Sequence, residues 1–554
     1  MDETAASPPA EADPTDPYLR GAQTFPRLGA DMLARITPLG REEAVPAGRH
    51  LYRRGERAVD FFVVLDGEIH VCNEDAADAP PVVVLTAGQF TGETNLFNDR
   101  QSLVSLCAGV DSRVLRVPRA TFRGLTAAEP DIGELVMRAV ILRRMGFLRH
   151  GHGSVTVLGD GHARETLRLQ RFLERNYYPH RLLDTATDAA ATALMRSLGL
   201  GEADLPAVVA PGQSVLRRPS AAAVADWLGI SERVEDGAMF DVAVVGAGPA
   251  GLAAAVYAAS EGLTTVVIEQ EAPGGQAGTS SKIENYLGFP TGISGAALAG
   301  RAQVQAQKFG ARLSIARAAT ELVCQGPPYT LRLEDGVVRA RAIVVATGAR
   351  YRRLDLPKYA RFEGQGIHYA ATALEAGLCE GQEVVLVGGG NSAGQAAMYL
   401  SRIAGHVHML VRGPGLAATM SDYLVGRIAA SPRITLHTAT EIVALDGDAA
   451  LERVTWRDAA GRTETRRIGN LFVMIGADPN TAWLGGCLPA DPQGFLLTGR
   501  DAAGRPLDSP YATAVPGVYA VGDVRSGSVK RVASAVGEGS VVVQAIHRFL
   551  HPAG

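Results

Sequence analysis

The sequence contains few cysteines, and their spacing excludes several kinds of site. Its five cysteines are Cys72, Cys107, Cys324, Cys379 and Cys487, and no two of them stand at the C-x-x-C spacing. Such scattering argues against a metal site, a disulfide framework or a redox dithiol. We therefore expect isolated reduced thiols and no bound metal.

The chain also lacks an excess of positive charge and any long apolar run. Its net charge is −4, with 47% hydrophobic and 20% charged residues, which is ordinary for a globular protein and not basic enough for nucleic acid. No apolar segment reaches membrane length, and the N-terminus lacks the basic and apolar regions of a signal peptide. These absences predict a cytoplasmic enzyme with neither nucleic-acid nor membrane partners.

The length of the chain indicates several domains. At 554 residues it is longer than the chains that usually fold around a single hydrophobic core, so three or four domains are expected. Residues 1–24 are rich in Ala, Pro, Asp and Glu without periodicity. They are predicted to form a disordered tail.

What the chain does contain is two glycine-rich dinucleotide fingerprints. They read Gly246-Ala247-Gly248-Pro249-Ala250-Gly251 and Gly388-Gly389-Gly390-Asn391-Ser392-Ala393. Each follows an apolar run typical of a buried parallel strand and precedes a stretch that favours a helix. In this context the glycines permit a tight turn and close approach of a pyrophosphate, which the helix N-terminus stabilises.

The residue after the next strand distinguishes the two fingerprints. The first is followed by a strand ending in Glu269, whose carboxylate can accept hydrogen bonds from ribose hydroxyls. The second is followed by a strand ending in Arg412, whose guanidinium suits a ribose phosphate. We assign FAD to the first site and NADPH to the second, with NADH as the alternative nicotinamide cofactor.

Residues 25–150 are predicted to form an antiparallel β-roll. Short alternating segments recur between turns, and residues 88–97 resemble the phosphate-binding cassette of cyclic nucleotide-binding domains. The resemblance implies that Glu93 holds the ribose hydroxyl. Arg100 stands one position before the place of the family's phosphate-binding arginine, which Gln101 occupies. The domain either binds a cyclic nucleotide through Glu93 and Arg100 or serves in docking or dimer formation.

Residues 153–230 form a second predicted unit, called here the middle module. It opens with a β-α-β pattern, and residues 204–209 resemble the strand after the cis-proline of glutaredoxin-like and thioredoxin-like domains. Where those domains carry redox cysteines, this chain has Gly159-Asp160-Gly161-His162. A thiol role is therefore excluded, and we expect a structural or protein-docking module.

The rest of the chain predicts two interleaved α/β domains. Residues 240–356 and 476–554 form the FAD-binding domain, and residues 357–475 form an inserted NAD(P)H-binding domain. The return of the chain to the FAD-binding domain is marked by an apolar strand that ends in Gly522-Asp523. The aspartate can contact the ribityl chain of a flavin there. The expected fold class is a multidomain α/β flavoprotein with two dinucleotide-binding domains, preceded by a β-roll and a small thioredoxin-like domain.

Residues 241–550 resemble the thioredoxin reductase branch of the pyridine nucleotide-disulfide oxidoreductases. Besides the fingerprints, the resemblance is carried by Gly274-Gly275-Gln276, by residues 283–290 and by Lys530-Arg531-Val532-Ala533. It implies that Gln276 and Asn285 face the flavin ring. Arg531 and Ala533 match the family's residues before the last helix, and Val532 replaces a glutamine. The resemblance also implies a homodimer and a rotation of the NADPH domain between two poses.

The chain departs from that family where the redox dithiol belongs. The family has Tyr-Cys-Ala-Thr-Cys, and this chain has Tyr369-Ala370-Ala371-Thr372-Ala373. Alanines at positions 370 and 373 cannot form a disulfide or a reactive thiolate, and Cys379 is expected to be a small buried hydrophobic residue.

Three functions are compatible with this pattern. In the first, electrons from NADPH pass through FAD directly to an external acceptor such as a redox protein, a quinone or oxygen. In the second, the chain reduces thioredoxin disulfides with the help of a partner's thiols. In the third, it is a redox signalling protein that responds to a cyclic nucleotide.

Overall fold

The computed structural model describes residues 16–73, 80–92, 94–98, 100–210, 214–280, 283, 285–363, 365–369, 371, 373–501 and 503–552. These residues form an antiparallel roll, a small mixed-sheet module and two α/β domains, one inserted into the other. The predicted fold class is thereby confirmed. No helix in the described part is both long and apolar enough to cross a membrane.

The β-roll consists of two antiparallel sheets closed by a long helix. The sheets have the strand orders β1-β7-β3 and β2-β6-β4-β5. The core that they enclose contains aromatic rings, and the ring of Phe61 stacks on that of Phe122, a residue of the helix after the last strand, at 4.3 Å. The elements are α1 (Gly21–Thr24), α2 (Ala30–Ile36), β1 (Arg41–Val45), β2 (His50–Tyr52), β3 (Phe61–Asp66), β4 (Glu68–Cys72), β5 (Val83–Thr86), β6 (Ser105–Ala108), β7 (Ser112–Val117), α3 (Arg119–Ala128) and α4 (Pro130–His150).

The end of the predicted disordered tail is ordered in the structure. Residues 1–15 lie outside the described part, but a 3-10 turn at Pro17–Arg20 leads into α1. Thr24 is buried and its hydroxyl donates to the Pro17 carbonyl at 2.6 Å. Tyr18 stacks on His150 at 4.8 Å. These contacts with the end of α4 order a segment whose composition alone predicts disorder.

The middle module is a four-stranded mixed sheet with three helices. The strand order is β11-β10-β8-β9, in which β8 and β9 are parallel and the other pairs are antiparallel. The Leu205–Pro206 peptide bond that precedes β10 is cis. The elements are β8 (Val155–Gly159), α5 (Arg164–Arg175), β9 (His180–Asp184), α6 (Ala189–Leu198), β10 (Ala207–Val209), β11 (Val215–Arg217) and α7 (Ala221–Leu228).

The first α/β domain is built on a sheet with a parallel centre. Strands follow the order β14-β13-β12-β17-β16-β15, and β28 (Val518–Ala520), from the end of the chain, also pairs with β17. The last four residues of β12 and of β17, 242–245 and 342–345, are apolar and buried because helices or loops cover both faces of the sheet there. The elements before the insertion are β12 (Ala238–Val245), α8 (Pro249–Ser260), β13 (Thr265–Glu269), α9 (Gly295–Lys308), β14 (Arg312–Ile315), β15 (Ala319–Val323), β16 (Tyr329–Leu333), β17 (Gly336–Val345) and β18 (Ala349–Tyr351).

The inserted domain has a five-stranded parallel sheet and a three-stranded antiparallel sheet. Their orders are β19-β26-β20-β21-β22 and β23-β24-β25. Its elements are α10 (Tyr359–Phe362), β19 (Ile367–His368), α11 (Ala373–Gly377), β20 (Glu383–Val387), α12 (Asn391–Leu400), β21 (His406–Leu410), α13 (Asp422–Ala429), β22 (Ile434–His437), β23 (Glu441–Asp446), β24 (Arg453–Arg457), β25 (Thr463–Arg466) and β26 (Leu471–Val473).

The chain then returns to the first α/β domain through an antiparallel connection. Strand β27 (Ala477–Pro479) pairs with β18, so the two crossover segments lie side by side. The return ends with β28 (Val518–Ala520) and α14 (Val532–Leu550). Helix α14 packs on α8, which brings the end of the chain to the first fingerprint.

The expectation of reduced thiols is wrong for two of the five cysteines, whereas Cys72, Cys107 and Cys379 are reduced thiols. Cys324 and Cys487 form a disulfide across a sequence separation of 163 residues, with Cα atoms 6.2 Å apart. The sulfur atoms of Cys72 and Cys107 lie 3.6 Å apart on neighbouring strands of the roll. Sequence spacing does not reveal either pair, because each forms only when the fold brings distant segments together.

Candidate active site

The first fingerprint lies at the carboxyl end of β12 and opens helix α8. Gly246 has a φ of +104°, and a Cβ there would overlap the Ala346 carbonyl oxygen. Gly248 caps α8, and no described atom lies within 4 Å of where its Cβ would be. The turn therefore requires glycine at position 246, and open space faces the Gly248 backbone, as the close approach of a pyrophosphate requires.

Two further residues complete this turn. A Cβ on Gly251 would overlap the Gly246 carbonyl oxygen, so α8 packs closely on the turn. Glu269 ends β13 and is 9% exposed. Its carboxylate accepts hydrogen bonds from the backbone N–H of Ala247 at 2.7 Å and of Glu271 at 2.9 Å. Burial raises the pKa of Glu269, whereas these hydrogen bonds act to lower it.

The loop after β13 lies against the same turn. A Cβ on Gly275 would come within 3.1 Å of the Gly248 Cα. The side-chain amide of Gln276 donates a hydrogen bond to the Ala349 carbonyl at the start of β18. Asn285 lies on an exposed segment. The structure thus brings Gly275 and Gln276 to the first fingerprint, and it leaves Asn285 on the surface.

The returning segment places Asp523 near the same edge. A Cβ on Gly522 would lie 2.9 Å from the Ala250 Cβ, in the first turn of α8. Burial raises the pKa of the adjacent Asp523 carboxyl. Arg531 is the N-cap of α14, and Val532 and Ala533 begin that helix. Residues from both ends of the domain therefore converge on the α8 turn.

The sequence motifs do not predict the role of Glu538, a buried acid in α14. Glu538 is 7% exposed, and it accepts a hydrogen bond from the Gly522 N–H at 2.6 Å. Its other oxygen pairs with Arg525 at 2.6 Å. This ion pair fixes the loop that carries Asp523. The signal in the sequence is a single carboxylate within a helix that is otherwise rich in apolar and small residues.

The second fingerprint repeats the first geometry in the inserted domain. Gly388 follows β20 with a φ of +143°, and a Cβ there would overlap the Met474 carbonyl oxygen. Gly390 caps α12, whose first residues are Asn391, Ser392 and Ala393. The Asn391 side-chain oxygen accepts hydrogen bonds from the Ser421 N–H at 2.8 Å and hydroxyl at 2.9 Å. The turn is thereby tied to the start of α13.

Arg412 lies two residues beyond β21, on the fingerprint side of the sheet. It is exposed. No hydrogen bond or ion pair holds its guanidinium among the residues that the structure describes. The side chain is therefore available to an anionic group beside the second turn.

The segment that replaces the family's dithiol lies before α11. Ala370 lies outside the described residues, Ala371 is buried and Ala373 is the first residue of α11. Cys379 is fully buried, and its thiol donates to the carbonyls of Glu375 and Ala376 at 3.4 and 3.3 Å. Burial raises the pKa of Cys379 to about 11, which suppresses the thiolate that redox chemistry needs.

The middle module contacts both α/β domains beside these sites, which the sequence does not predict. Arg171 pairs with Glu375 at 3.3 Å, and the Gln365 amide donates to the His162 carbonyl at 2.8 Å. On the other domain, Arg175 donates to the Gly275 carbonyl at 3.1 Å. The loop at residues 159–163 therefore lies against the segment before β19, and helix α5 lies against α11.

A small cavity lies inside the β-roll beside a buried arginine. It has a volume of about 20 Å³ and is lined by Thr91, Gly92 and Arg143 among mostly apolar residues. The Arg143 guanidinium donates to the Thr24 and Gly92 carbonyls at 2.9 and 3.0 Å. Glu93 lies outside the described residues. Arg100 does not line this cavity but a second one, between helices α4 and α9.

Two glycine turns, each at the carboxyl end of a parallel strand and the start of a helix, define a flavoprotein with two dinucleotide-binding domains. A family model of pyridine nucleotide-disulphide oxidoreductases matches residues 240–539. The chain belongs to this family, and within it resembles the thioredoxin reductases. A model of the cyclic nucleotide-binding domain matches residues 42–129, so such a domain precedes the redox enzyme.

Individual relatives agree with this assignment. The chain is 35% identical to NADPH-dependent thioredoxin reductase 3 of Arabidopsis thaliana over 56% of this chain, and it spans only 58% of that relative. It is 32% identical to thioredoxin reductase of Treponema pallidum over 56% of this chain and 97% of that protein. Thioredoxin reductase of Lactococcus lactis superposes with a TM-score of 0.52 at 27% identity, covering 56% of this chain and 99% of that structure.

These findings confirm the predicted enzyme class and cofactors. The chain is an FAD-dependent NAD(P)H oxidoreductase, and FAD and NADPH are the cofactors of its family. The residues present fit both groups, because each turn leaves no room for a Cβ at its first glycine and each helix N-terminus is free of a capping side chain.

Proposed function

We propose that the chain is an NADPH-dependent FAD oxidoreductase whose electrons leave directly for an external acceptor, without passing through a dithiol of its own. The observation that carries this proposal is the pair of alanines at positions 370 and 373, where the family has cysteines. Cys379 is a poor substitute because it is buried and its pKa is raised to about 11. A single thiol also cannot form an intramolecular disulfide.

The residues of the first site have distinct roles in this proposal. The α8 N-terminus at Gly248 binds the pyrophosphate, and Glu269 accepts hydrogen bonds from the adenosine ribose. Asp523, held by the Glu538–Arg525 pair, meets the ribityl chain. Gln276, fixed by its hydrogen bond to Ala349, positions the flavin ring.

The residues of the second site hold the nicotinamide cofactor. The α12 N-terminus at Gly390 binds its pyrophosphate, and Arg412 binds the ribose phosphate of NADPH. When bound, FAD and NADPH supply the hydride and electron transfer themselves. The protein orients the two groups and excludes water.

An anaerobic titration with NADPH tests the missing dithiol. The flavin absorbance of the purified holoenzyme should bleach with one equivalent of NADPH per FAD, because no further two-electron centre is coupled to it. Consumption of two equivalents would contradict the proposal and would implicate a disulfide of the chain. Robust NADPH-dependent reduction of thioredoxin would favour the alternative, a disulfide reductase that works through a partner's thiols.

The acceptor is identified by stopped-flow reoxidation. The reduced enzyme is mixed with a ferredoxin, a flavodoxin, a quinone, oxygen or a disulfide protein, and the rate of flavin reoxidation is compared. The proposal expects one non-thiol acceptor to react faster than the disulfide protein. Sedimentation of the holoenzyme would test the homodimer that the family resemblance supports.

The cyclic nucleotide-binding domain is proposed to act in docking. The small cavity beside Arg143 supports this reading, as does a contact with the redox enzyme, in which the Asn98 amide donates to Gln307 of α9 at 3.1 Å. The alternative is a response to a cyclic nucleotide. Calorimetry with cyclic AMP and cyclic GMP should show no binding, and a change in NADPH affinity at saturating nucleotide would establish the alternative instead.

A further inference from the structure

The middle module reaches the first fingerprint through two consecutive residues at the end of α5. Arg175 is the last residue of that helix, and Asn176 is its C-cap. Both contact residues 271–276, a segment after β13 that is called here the flavin-side loop. The module precedes both dinucleotide-binding domains along the chain, so these two residues reach the site from outside its own fold.

The flavin-side loop lies directly on the pyrophosphate turn. The Gly274 N–H donates to the Ala247 carbonyl at 2.7 Å, and a Cβ on Gly275 would come within 3.1 Å of the Gly248 Cα. Gly274 and Gly275 have φ values of +104° and +53°. Because glycine has little conformational preference of its own, the course of this loop depends on the groups that hold it.

Arg175 and Asn176 hold the loop at both of its ends. The Arg175 guanidinium donates to the Gly275 carbonyl at 3.1 Å and pairs with the Glu271 carboxylate. The Asn176 side-chain amide donates to the Glu271 carbonyl at 3.1 Å and to the Phe172 carbonyl of α5 at 2.9 Å. Asn176 is fully buried. The loop is thereby attached to the end of α5 by side chains that have little freedom to move.

The two contacts with backbone carbonyls outweigh the ion pair. The side chain of Glu271 is 60% exposed and that of Arg175 is 28% exposed, and an ion pair at such exposure contributes little to stability. In contrast, the Gly275 carbonyl accepts from a charged donor and the Glu271 carbonyl accepts from a buried amide, which are the stronger and the more costly bonds to lose.

The base from which Arg175 acts is itself fixed on the FAD-binding domain. Tyr177, the next residue after Asn176, has a φ of +52°, which a bulky residue adopts only where its surroundings hold it. Its ring lies against α9, since a Cβ on Gly300 would be 3.7 Å from that ring. The turn at the end of α5 therefore contacts the same domain on two sides.

The charge of Arg175 also acts on the carboxylate beside the pyrophosphate turn. The Glu271 N–H donates to Glu269 at 2.9 Å. Burial raises the pKa of Glu269, whereas its hydrogen bonds and the positive charge of Arg175 act to lower it. They favour the ionised form, which accepts hydrogen bonds from ribose hydroxyls.

We propose that Arg175 and Asn176 of the middle module are positioning residues for FAD, which hold the flavin-side loop closed on the pyrophosphate turn and slow the release of the flavin. The middle module is then a part of the flavin site as well as a link between domains. The inference rests on the assignment of FAD to the first fingerprint, and it does not depend on the electron acceptor.

The rate of FAD release from the full-length holoenzyme tests the proposal. Arg175→Ala should release FAD about tenfold faster, since a hydrogen bond from a charged donor is lost. The visible circular dichroism of the flavin that stays bound should also change, because Gln276 belongs to the same loop. Arg168→Ala is the matched control, since Arg168 is exposed on the same helix, and Glu271→Gln, which removes only the ion pair, should change both readouts little.

Hydrogen exchange locates the effect. In the protein without flavin, backbone amides of residues 271–276 should exchange faster in Arg175→Ala and in Asn176→Ala than in the natural sequence, while those of α12 stay unchanged. Thermal midpoints show that each variant is folded, and Arg175→Ala and Asn176→Ala are read independently of each other.

The outcomes separate this proposal from the assignment of FAD itself. A natural protein that contains FAD, together with a folded Arg175→Ala that keeps the natural release rate, dichroism and loop exchange, would overturn the role of the module alone. A lowered thermal midpoint without those changes would give Arg175 a merely structural role and would also overturn it. A natural protein that binds no FAD would instead overturn the proposed function.

Discussion

At the scale of single residues, burial decides which side chains can take part in chemistry. Glu269 and Asp523 are carboxylates whose pKa is raised by burial, and Glu269 remains hydrogen-bonded to two backbone N–H groups. Cys379 is buried in the core of the inserted domain, where burial and the nearby Glu375 carboxylate raise the pKa of its thiol. The first two are suited to binding, and the third is suited to packing.

Cys379 should resist alkylation in the native protein. With a pKa of about 11, only about one thiol in a thousand is ionised at pH 8, and the side chain is fully buried. Iodoacetamide at pH 8, followed by mass spectrometry of the Cys379 peptide, should show little modification in native buffer and complete modification in denaturant. Rapid modification of the native protein would contradict the structural role assigned to this thiol.

Arg412 should determine the preference for NADPH over NADH. Loss of a charge-assisted contact to a phosphate costs about 1.5–3 kcal/mol. Arg412→Ala should therefore weaken the binding of NADPH about 10- to 100-fold, whereas the affinity for NADH should change little. The measurement is the rate of anaerobic flavin reduction against nicotinamide concentration. Arg433→Ala is the matched control. Arg433 is exposed and directly precedes β22, so it lies at the amino ends of the parallel strands, whereas Arg412 lies at their carboxyl ends. An unchanged preference in Arg412→Ala would refute the role of Arg412.

At the scale of elements, close helix packing holds the flavin site together. Gly539 of α14 faces α8, and a Cβ there would overlap the Ala250 carbonyl oxygen and lie 2.9 Å from the Ala253 Cβ. Ala250 belongs to the first fingerprint. The contact between α14 and α8 therefore supports the pyrophosphate turn from the far end of the sequence.

Two alanine substitutions in α14 should have opposite effects. Gly539→Ala should destabilise the domain by about 1–3 kcal/mol through overpacking and should promote flavin release. Gly537→Ala should stabilise it by about 0.5–1 kcal/mol, since no described atom lies within 4 Å of the added Cβ. For each variant, the midpoint urea concentration of flavin release, followed by flavin fluorescence, measures the stability of the domain. Equal midpoints for the two variants would show that this packing does not support the site.

At the scale of the whole molecule, the middle module joins the two halves of the redox enzyme. It contacts Gly275 in the FAD-binding domain through Arg175, and Glu375 in the inserted domain through Arg171. The rotation between domains that the family resemblance implies would have to break one of these contacts. The module therefore restrains the relative pose of the two domains in the described conformation.

Restoring the dithiol should add an electron acceptor to the chain. The double variant Ala370→Cys with Ala373→Cys should consume two equivalents of NADPH per FAD in an anaerobic titration, one for the flavin and one for the new disulfide. Ala370→Cys alone is the control and should consume one, as should the natural sequence. A double variant that forms the disulfide yet still takes one equivalent would place this segment outside the path of electrons.

The sequence alone determined the two dinucleotide turns and the interleaved order of their domains. Glycine spacing and strand periodicity are local properties, and a phosphate-binding turn is made by consecutive residues. The places of Gly246 and Gly388 in their turns, and of Glu269 at the end of β13, could be expected for this reason. The local pattern also indicated the cis-proline of the middle module, whose likeness to thioredoxin-like domains stays a prediction.

The tertiary structure alone decided which distant residues meet. The Cys324–Cys487 disulfide, the Glu538–Arg525 pair and the contacts of the middle module each join segments that no motif connects. Arg100 has the residue type expected for a cyclic phosphate, yet it lines the cavity shared with α9. These pairings depend on how helices and sheets pack against one another, and sequence spacing does not encode that packing directly.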